Sequence, residues 1–590
     1  MTRPYPQRLV TGILVVCAAA LGTWNAHGIH GGLPHGDELR VYLPAIQRLL
    51  AQGPGYFLDE ASLGFSPMSV ILPALLGGDA GFVRAVNTGL FGVLVVMVFR
   101  IGWLAHSRPA GVVAAFLFAL APTAYGWFAT VLSEPVFIFF TVTWMWLLCE
   151  VLRGGPRWLI PLAGLAFGLS LLSRGTYQYF LVLILAAGFA GWRWGPRHLR
   201  DGCRDVFLVH MVALILPLAL LVKNVVVFGY PGLYTGAGAA FYAGVHPLNL
   251  GYEPRYLNLW HDFPVLHRFF GFSGPHTIEG DATLKTMAVQ MLGERSLPDL
   301  VRHFVGKGSA FLFDTNFNLT TPLFNLRSAR IIELMLGVVG LFTLRIPLLR
   351  WVIGVAILYQ FAVHLPIVYT RRYTVAIDMW LVVLAGVGAV TLFNWYRSGR
   401  GPRRAAYGLM ALALAGVMLG EWHRASAKTP MPDLFAIPNA VLGAAEGADI
   451  KPLRAVGMQV DTNVWRVTGN TPGVIFPMPR VERKGLGGTI VSLRMAVTAA
   501  GEGGRCGNGR LLFKGPEDGR FVAERSVPIP IRTDGREHWY HLGTIHLGLV
   551  RDGRFRLNLN CPVGARVQVN EVRVSLNQLP QMYVGRLRRE

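Results

Sequence analysis

The chain has 590 residues, of which 53% are hydrophobic and only 15% are charged. Soluble domains carry about 25% charged residues, so this composition excludes an ordinary soluble enzyme, a disordered chain and a disulfide-built scaffold. The formal net charge of +22 would point to nucleic acid in a soluble protein. In a polytopic membrane protein it is instead the arginine bias of cytoplasmic loops. The sequence therefore predicts a membrane protein with a water-soluble part, membrane lipids as neighbours and no nucleic-acid partner.

Apolar runs of roughly 17–25 residues are long enough to cross a bilayer as helices. The sequence contains about eleven such runs, so we expect a polytopic α-helical membrane domain. Two of the runs are short, which leaves the number of spans open by two. The predicted spans lie near residues 9–26, 82–99, 110–129, 132–152, 158–173, 176–192, 206–228, 331–347, 350–368, 375–395 and 405–422.

Arginines fall in alternate loops, which fixes the expected orientation. If Met1 is cytoplasmic, every inside group is basic and almost free of acid, as the positive-inside rule requires. We therefore expect a bacterial inner (plasma) membrane protein with a cytoplasmic N-terminus, outside loops over 27–81 and 229–330, and a periplasmic C-terminal region. A signal peptide cleaved before His27 is the alternative reading of the first run, and it would leave the downstream orientation unchanged.

The first outside loop holds an adjacent pair of carboxylates, Asp37 and Glu38, just beyond the first span. Apolar residues then recur at helical spacing over 38–50, which predicts an amphipathic helix on the membrane surface. Such a carboxylate pair at the membrane boundary is costly unless it is used or solvated. The alternative is that Asp37 only caps the helix. His30 and His35 are weak candidates for binding a divalent cation, because their spacing is loose and glycine-rich.

Several basic residues lie on the side of the membrane where the orientation rule expects few. A guanidinium group matches phosphate oxygens bidentately, so these residues could bind a lipid-linked phosphate or pyrophosphate. The alternatives are snorkelling to the interface and pairing with the nearby carboxylates. The set comprises Arg84, Arg174, Lys223, Arg371 and Arg372.

Glu134 precedes Pro135 at the outer start of a predicted span. A carboxylate at this depth is expected to face the protein interior. It could orient an arginine or a substrate hydroxyl, or it could simply belong to a helix start with proline in the first turn.

From about residue 424 the hydropathy falls and the pattern changes. Residues 424–455 form a predicted linker. Residues 456–590 show alternation of apolar and polar residues with a period of two, interrupted by Asp-Gly pairs at 534 and 552. This pattern predicts a β-sandwich. A carbohydrate-binding or acceptor-positioning role for it would be analogy of fold alone. Cys506 and Cys561, the pair of cysteines in this region, are expected to form a disulfide in an oxidising compartment, with two buried free thiols as the alternative.

The order of these features resembles the GT-C glycosyltransferase superfamily, and within it the bacterial enzymes related to protein O-mannosyltransferases and the lipid A aminoarabinose transferase. The resemblance covers about residues 1–425 and is carried by "HGDELRVYLPAIQRLLAQG", "LSEP" and "RRYTVAIDMWLVVLAGVGA". It implies that Asp37 is the catalytic carboxylate, that Glu38 is its neighbour, and that Arg371 or Arg372 lies near the carrier phosphate. Relatives often have a lysine-containing "KPP" element where this chain has "LGFSPMSV", so Arg84, Arg174 or Lys223 would substitute for that lysine.

The resemblance implies an inverting transferase that moves a sugar, hexose or pentose, from a polyprenyl-phosphate carrier to a periplasmic glycan, lipid or protein. The residues fit that chemistry, since a sugar hydroxyl needs a general base and a phosphate leaving group needs cationic stabilisation. No cofactor is required by this reading, although a divalent cation remains open. A transporter or flippase of lipid-linked sugars and a non-catalytic membrane scaffold are the alternative functions.

Overall fold

The computed structural model of the chain describes residues 5–28, 37–245, 274–293, 295–313, 326–367, 371–398, 452–461, 464–477, 487–499, 506–507, 509–514, 521, 526–529, 531–544 and 554–578. These residues divide into two compact units, the first formed by Met1–Ala237, Pro275–Asp281 and Phe304–Arg424, and the second by Gly238–Gly274, Ala282–His303 and Ala425–Glu590.

The described part before residue 400 is helical. Its helices are α1 (Tyr5–Gly28), α2 (Leu43–Gln52), α3 (Pro67–Leu75), α4 (Ala80–Ala105), α5 (Arg108–Leu120), α6 (Pro122–Tyr125), α7 (Ser133–Leu152), α8 (Leu159–Ser173), α9 (Gln178–Trp194), α10 (Arg197–Phe228), α11 (Ala237–Val245), α12 (Ile278–Gly293), α13 (Leu297–Phe313), α14 (Leu326–Thr343), α15 (Pro347–His364) and α16 (Arg371–Ser398). Single π- or 3-10-helical turns lie at Glu38–Tyr42, Gly53–Leu58, Glu60–Gly64 and Gly175–Tyr177.

Within the described ranges, seven helices are long and apolar enough to cross a membrane, and the chain is accordingly a multi-pass helical protein. They are Arg8–His27, Ala80–Ala105, Ser133–Leu152, Gly175–Trp194, Arg197–Phe228, Pro347–His364 and Arg372–Ser398. Two shorter apolar helices, Arg108–Leu120 and Leu159–Ser173, accompany them. The predicted span 331–347 corresponds to α14, and the predicted span 405–422 lies outside the described residues.

The predicted span over 110–129 differs from the structure. Helix α5 ends at Leu120, and Ala121 has extended backbone angles of φ −79° and ψ 108°. The cause is Pro122, because a proline ring disfavours the helical conformation of the residue before it. The short helix α6 follows the break, so this segment is a bent apolar element and not one continuous helix.

Helix α16 is the most enclosed of the long helices. Trp380 on this helix is fully buried, and its indole N–H donates to the hydroxyl of Tyr177 at 3.1 Å. Close approach to α14 is possible because glycines line the contact: a Cβ added at Gly340 or Gly388 would collide with a backbone carbonyl of the facing helix. Small residues at helix contacts are typical of packing in membranes, where backbones approach closely to gain van der Waals contact.

In the described residues of the C-terminal part, ten strands form two five-stranded antiparallel sheets, where the sequence predicted a β-sandwich. Its strands are β1 (Arg454–Val456), β2 (Met458–Asp461), β3 (Val464–Val467), β4 (Gly473–Pro477), β5 (Gly487–Thr498), β6 (Gly509–Lys514), β7 (Ser526–Ile529), β8 (Asp534–Thr544), β9 (Arg554–Asn558) and β10 (Arg566–Gln578). The strand orders are β1-β4-β9-β6-β7 and β2-β3-β10-β5-β8. One apolar core draws residues from both sheets, with Trp465 of one sheet and Phe476 of the other 5.9 Å apart between ring centroids. This is a β-sandwich.

Two local features of the sandwich were expected from the sequence. Cys506 and Cys561 are joined by a disulfide. Gly535 has φ 70°, a left-handed conformation that suits the Asp-Gly turn. Beside it, the ring nitrogen Nε2 of His538 lies 2.8 Å from Oδ1 of Asp534. The second Asp-Gly turn, at 552, lies outside the described residues.

Candidate functional site

Five helix ends of the first unit bring ionisable side chains together. The π-helical turn Glu38–Tyr42 lies within the first loop, and α4, which carries Arg84, begins at Ala80. Helices α7 and α16 begin at Ser133 and Arg371, and α8 ends just before Arg174. The resulting arginine–carboxylate cluster consists of Asp37, Glu38, Arg84, Glu134, Arg174 and Arg372. Its three carboxylates match its three guanidinium groups in number, so the described cluster is neutral when all six are ionised.

Glu134 is the fixed centre of the cluster. Its side chain is fully buried, and Arg372 donates to both of its carboxylate oxygens, from Nε at 2.5 Å and from Nη2 at 3.3 Å. Arg174 donates to the same carboxylate from Nη1 at 3.0 Å. A buried carboxylate is tolerated only where such donors replace its hydration. Glu134 therefore holds two arginines in place at the start of α7, in addition to lying in the first turn of that helix.

Asp37 is the exposed partner of the same arginine. Its carboxylate accepts a hydrogen bond from Nη1 of Arg372, and 48% of its side chain is exposed. The alternative role of Asp37 as a helix cap is not seen, because its backbone is helical and its side chain makes no capping hydrogen bond. Arg372 therefore bridges a buried carboxylate and a solvent-accessible one.

Glu38, unlike Asp37, is fully buried. Arg84, near the start of α4, donates to one Glu38 oxygen from Nε at 2.8 Å and from Nη2 at 2.6 Å. This ion pair ties the first loop to α4. Glu38 is thus paired and enclosed, in contrast to its open neighbour.

Aromatic side chains border the two arginines of Glu134. The guanidinium carbon of Arg372 lies 6.0 Å from the ring centroid of Trp127, and that of Arg174 lies 5.1 Å from the ring of Tyr373. Both distances are within the range of cation–π attraction. The rings limit the directions in which the guanidinium groups can turn, which favours a fixed orientation of these groups.

Tyr42 ends the π-helical turn and lies next to the cluster. Its hydroxyl lies close enough to Arg372 and Glu134 to be affected by both charges. Burial raises the pKa of Tyr42, and the nearby Arg372 only partly offsets that effect. Tyr42 is therefore a neutral hydroxyl close to the ion pairs. Sequence reasoning had assigned it to the apolar face of a surface helix.

Two of the proposed basic residues are not seen in the cluster. Lys223 donates from Nζ to the carbonyl oxygen of Phe57 at 3.1 Å and lies over the ring of Phe228, so these contacts are made with other parts of the unit. Arg371 begins α16 beside Arg372, and its side chain is outside the described part. His30 and His35 also lie outside the described residues. Among the residues that are described, no group of three or more His, Cys, Asp or Glu side chains is arranged to hold a metal ion.

A second ion pair, which sequence reasoning missed, lies farther along α16. Arg330 of α14 contacts Asp378 at 2.6 Å and Glu333 at 3.0 Å, and both Arg330 and Asp378 are buried. Glu333 and Asp378 occur within predicted apolar runs and Arg330 directly precedes one. This is the signal that could have identified them, because charges inside such runs are expected to be paired. The pair joins α14 to the helix that carries Arg372.

Comparisons with known proteins give distant structural likenesses. The Archaeoglobus fulgidus oligosaccharyltransferase tethered to an acceptor peptide matches with a TM-score of 0.42 and 16% identity over 71% of this chain and 54% of that one. AglB of the same organism, in complex with an inhibitory peptide and a dolichol-phosphate, matches with a TM-score of 0.42 and 15% identity over 72% and 56% of the two chains. The arabinosyltransferase EmbB of Mycobacterium smegmatis matches with a TM-score of 0.24 and 12% identity over 99% and 66%.

The chain thus spans about half the length of the oligosaccharyltransferase chains that it matches. No protein-family model and no curated protein sequence matches it. A function for this chain must therefore be argued from its own site.

Proposed function

We propose that the chain is a membrane glycosyltransferase of the GT-C superfamily, which moves a sugar from a polyprenyl-phosphate carrier to a glycan, lipid or protein acceptor outside the cytoplasm. The observation that carries this proposal is Arg372, which bridges the buried Glu134 and the half-exposed Asp37. A carboxylate open to solvent and a guanidinium group held at its side are the equipment that this reaction needs.

In the proposed reaction the acceptor hydroxyl gives its proton to a carboxylate oxygen of Asp37 as its oxygen attacks the anomeric carbon. The bond from that carbon to the phosphate oxygen breaks, and polyprenyl phosphate leaves with the bonding electrons. A single displacement of this kind inverts the anomeric configuration. Because the leaving group is already a stable anion, it needs nearby positive charge and no general acid.

Arg372 would stabilise the negative charge of the leaving phosphate, and Glu134 would hold Arg372 in position. The edge of the guanidinium formed by Nε and Nη2 is committed to Glu134. Its Nη1 atom faces the half-exposed Asp37. We infer that a donor phosphate competes with Asp37 for Nη1, so that donor binding releases Asp37 from its ion pair. Asp37 would then accept the proton only when the donor is in place.

This exchange has a direct test in the purified full-length chain in detergent, with undecaprenyl phosphate as the probe. Removing the competing carboxylate by Asp37→Asn should tighten binding by up to about fivefold, since an exposed ion pair is worth up to about 1 kcal/mol. Arg372→Gln should weaken binding. Asp59→Asn, an exposed carboxylate of the same loop whose capping role asparagine keeps, is the matched control.

The results separate the two parts of the proposal. Weaker binding of undecaprenyl phosphate to Asp37→Asn would contradict the proposed competition between Asp37 and the phosphate. Unchanged binding to Arg372→Gln would show that Arg372 does not bind the phosphate. Activity is measured by comparing envelope glycans and lipids by mass spectrometry in cells that carry the wild-type chain or Asp37→Asn. If Asp37→Asn forms product at the wild-type level, Asp37 is not the general base. If the chain moves the lipid carrier across the membrane without forming product, the alternative function as a transporter is favoured.

A further inference from the structure

A second arrangement of arginines lies at the other end of α4. Arg84 is near one end of this helix, in the arginine–carboxylate cluster, and Arg100 is sixteen residues farther along the sequence. At a rise of 1.5 Å per residue the two positions are about 24 Å apart along the helix. The segment between them is apolar and of membrane-crossing length, so Arg100 lies at the opposite membrane surface from the cluster.

Arg100 and Arg108 share one aromatic ring at this end. Their guanidinium carbons lie 4.5 Å and 4.7 Å from the ring centroid of Trp103, distances at which cation–π attraction is effective. Two like charges on one indole repel each other, and a nearby anion offsets that repulsion. Glu150 offsets only part of it, because it pairs with Arg100 at 2.8 Å and also accepts from the indole N–H of Trp146 at 3.2 Å.

Arg108 has no such counter-charge among the residues that the structure describes, where its guanidinium forms no ion pair. It is also the first residue of α5, whose cap is Ser107. Arg345 adds a further positive charge nearby: its backbone N–H donates to the carbonyl of Ala105 at 3.0 Å, and its side chain is exposed. Within the described residues the arrangement therefore holds three arginines against one carboxylate.

We propose that Arg100, Trp103 and Arg108 bind the phosphate of an anionic phospholipid at the membrane surface opposite the arginine–carboxylate cluster. Charge and position both favour a lipid. The excess positive charge requires an anion, the phosphates of phospholipids lie at the depth where an apolar helix leaves the bilayer, and an indole at that depth contacts both acyl chain and headgroup. The stacked guanidinium groups are already oriented, so the headgroup meets a formed site. This site is independent of the proposed transferase activity.

The test uses the full chain in a neutral detergent, with phosphatidylglycerol as the probe and phosphatidylcholine as the uncharged comparison, and counts bound lipid by native mass spectrometry. Arg108→Gln should weaken phosphatidylglycerol binding by about fivefold, the effect of roughly one basic residue near an anionic surface, and leave phosphatidylcholine unchanged. Arg108→Lys should lie between, since it keeps the charge but not the planar group.

Arg157→Gln is the matched control. It removes the same charge from an exposed arginine of the loop between α7 and α8, and among the described residues Arg157 does not lie over an aromatic ring. Equal loss in Arg108→Gln and Arg157→Gln would mean general surface charge and would overturn the site. Displacement of the lipid by inorganic phosphate, but not by chloride at the same ionic strength, would mean a soluble-anion site and would overturn the lipid assignment. Thermal unfolding of each variant separates lost binding from lost folding.

Discussion

The two carboxylates that share Arg372 should respond very differently to the same chemical change. Glu134→Gln and Asp37→Asn each remove one negative charge and keep the shape of the side chain. Glu134 is fully buried and accepts three hydrogen bonds from two arginines. Asp37 accepts a hydrogen bond from the same Arg372, and 48% of its side chain is exposed. Burial is therefore the main difference between them.

The size of each effect follows from that difference. Breaking a buried ion pair by removing one partner costs about 3–5 kcal/mol, because the remaining charge stays buried without compensation. Glu134→Gln leaves Arg174 with its charge only 13% exposed, so it should lie in that range. An exposed ion pair contributes about 0–1 kcal/mol. Asp37→Asn should therefore destabilise the chain by less than about 1 kcal/mol, even though it abolishes the proposed transfer.

Unfolding of the purified variants in mixed micelles, titrated with a denaturing detergent and followed by intrinsic fluorescence, measures both values. The proposed activity should be lost in both variants, with stability lost in one only. If Asp37→Asn destabilises the chain as much as Glu134→Gln does, then exposure does not decide the energetics of this cluster, and the division into a structural and a reactive carboxylate is refuted.

Three further outcomes are expected. Cys506→Ser should lower the stability of the sandwich by about 2–5 kcal/mol, seen as faster proteolysis, and a reductant should produce the same change in the wild type but none in the variant. Gly340→Ala should weaken the packing of α14 on α16 and lower the unfolding midpoint, because the added methyl group meets backbone; Gly12→Ala, where the space is open, should not. Slight burial acts to raise the pKa of Asp534, but the hydrogen bond from His538 and nearby positive charge lower that pKa on balance. Its contribution to stability is thus present above the usual aspartate pKa and is lost as pH falls through the lowered value, and Asp534→Asn should remove that part of an acid-unfolding curve.

The sequence predicted the elements of the fold better than their contacts. Hydropathy located the long helices and alternation located the strands, because each pattern directly reflects what the element buries. The broken segment at Ala121–Pro122 was missed because overall hydropathy does not register the local effect of one proline.

The site was predicted in part. Orientation rules marked Arg84, Arg174 and Arg372 as out of place, and pairing was one of the alternatives. Which carboxylate each arginine meets depends on how the helices pack and turn, over sequence separations of up to 335 residues. Local rules failed for the same reason at Asp37, where the capping preference of an aspartate yields to a partner supplied by a distant helix.

The tight packing of α16 makes the site sensitive to insertions and deletions within this helix. Its first turn carries Arg372, and its contact with α14 at Gly388 admits no side chain. One residue inserted between these positions would rotate the turn that carries Arg372 by about 100° and shift it by about 1.5 Å along the helix axis, relative to the part that carries Gly388. The guanidinium group would then face away from Glu134 while every amino acid of the cluster was still present. Spacing along this helix is therefore as much a determinant of the site as the identity of the residues in it, and homologous chains that keep the chemistry should differ in loop length but not in the interval from this arginine to this glycine.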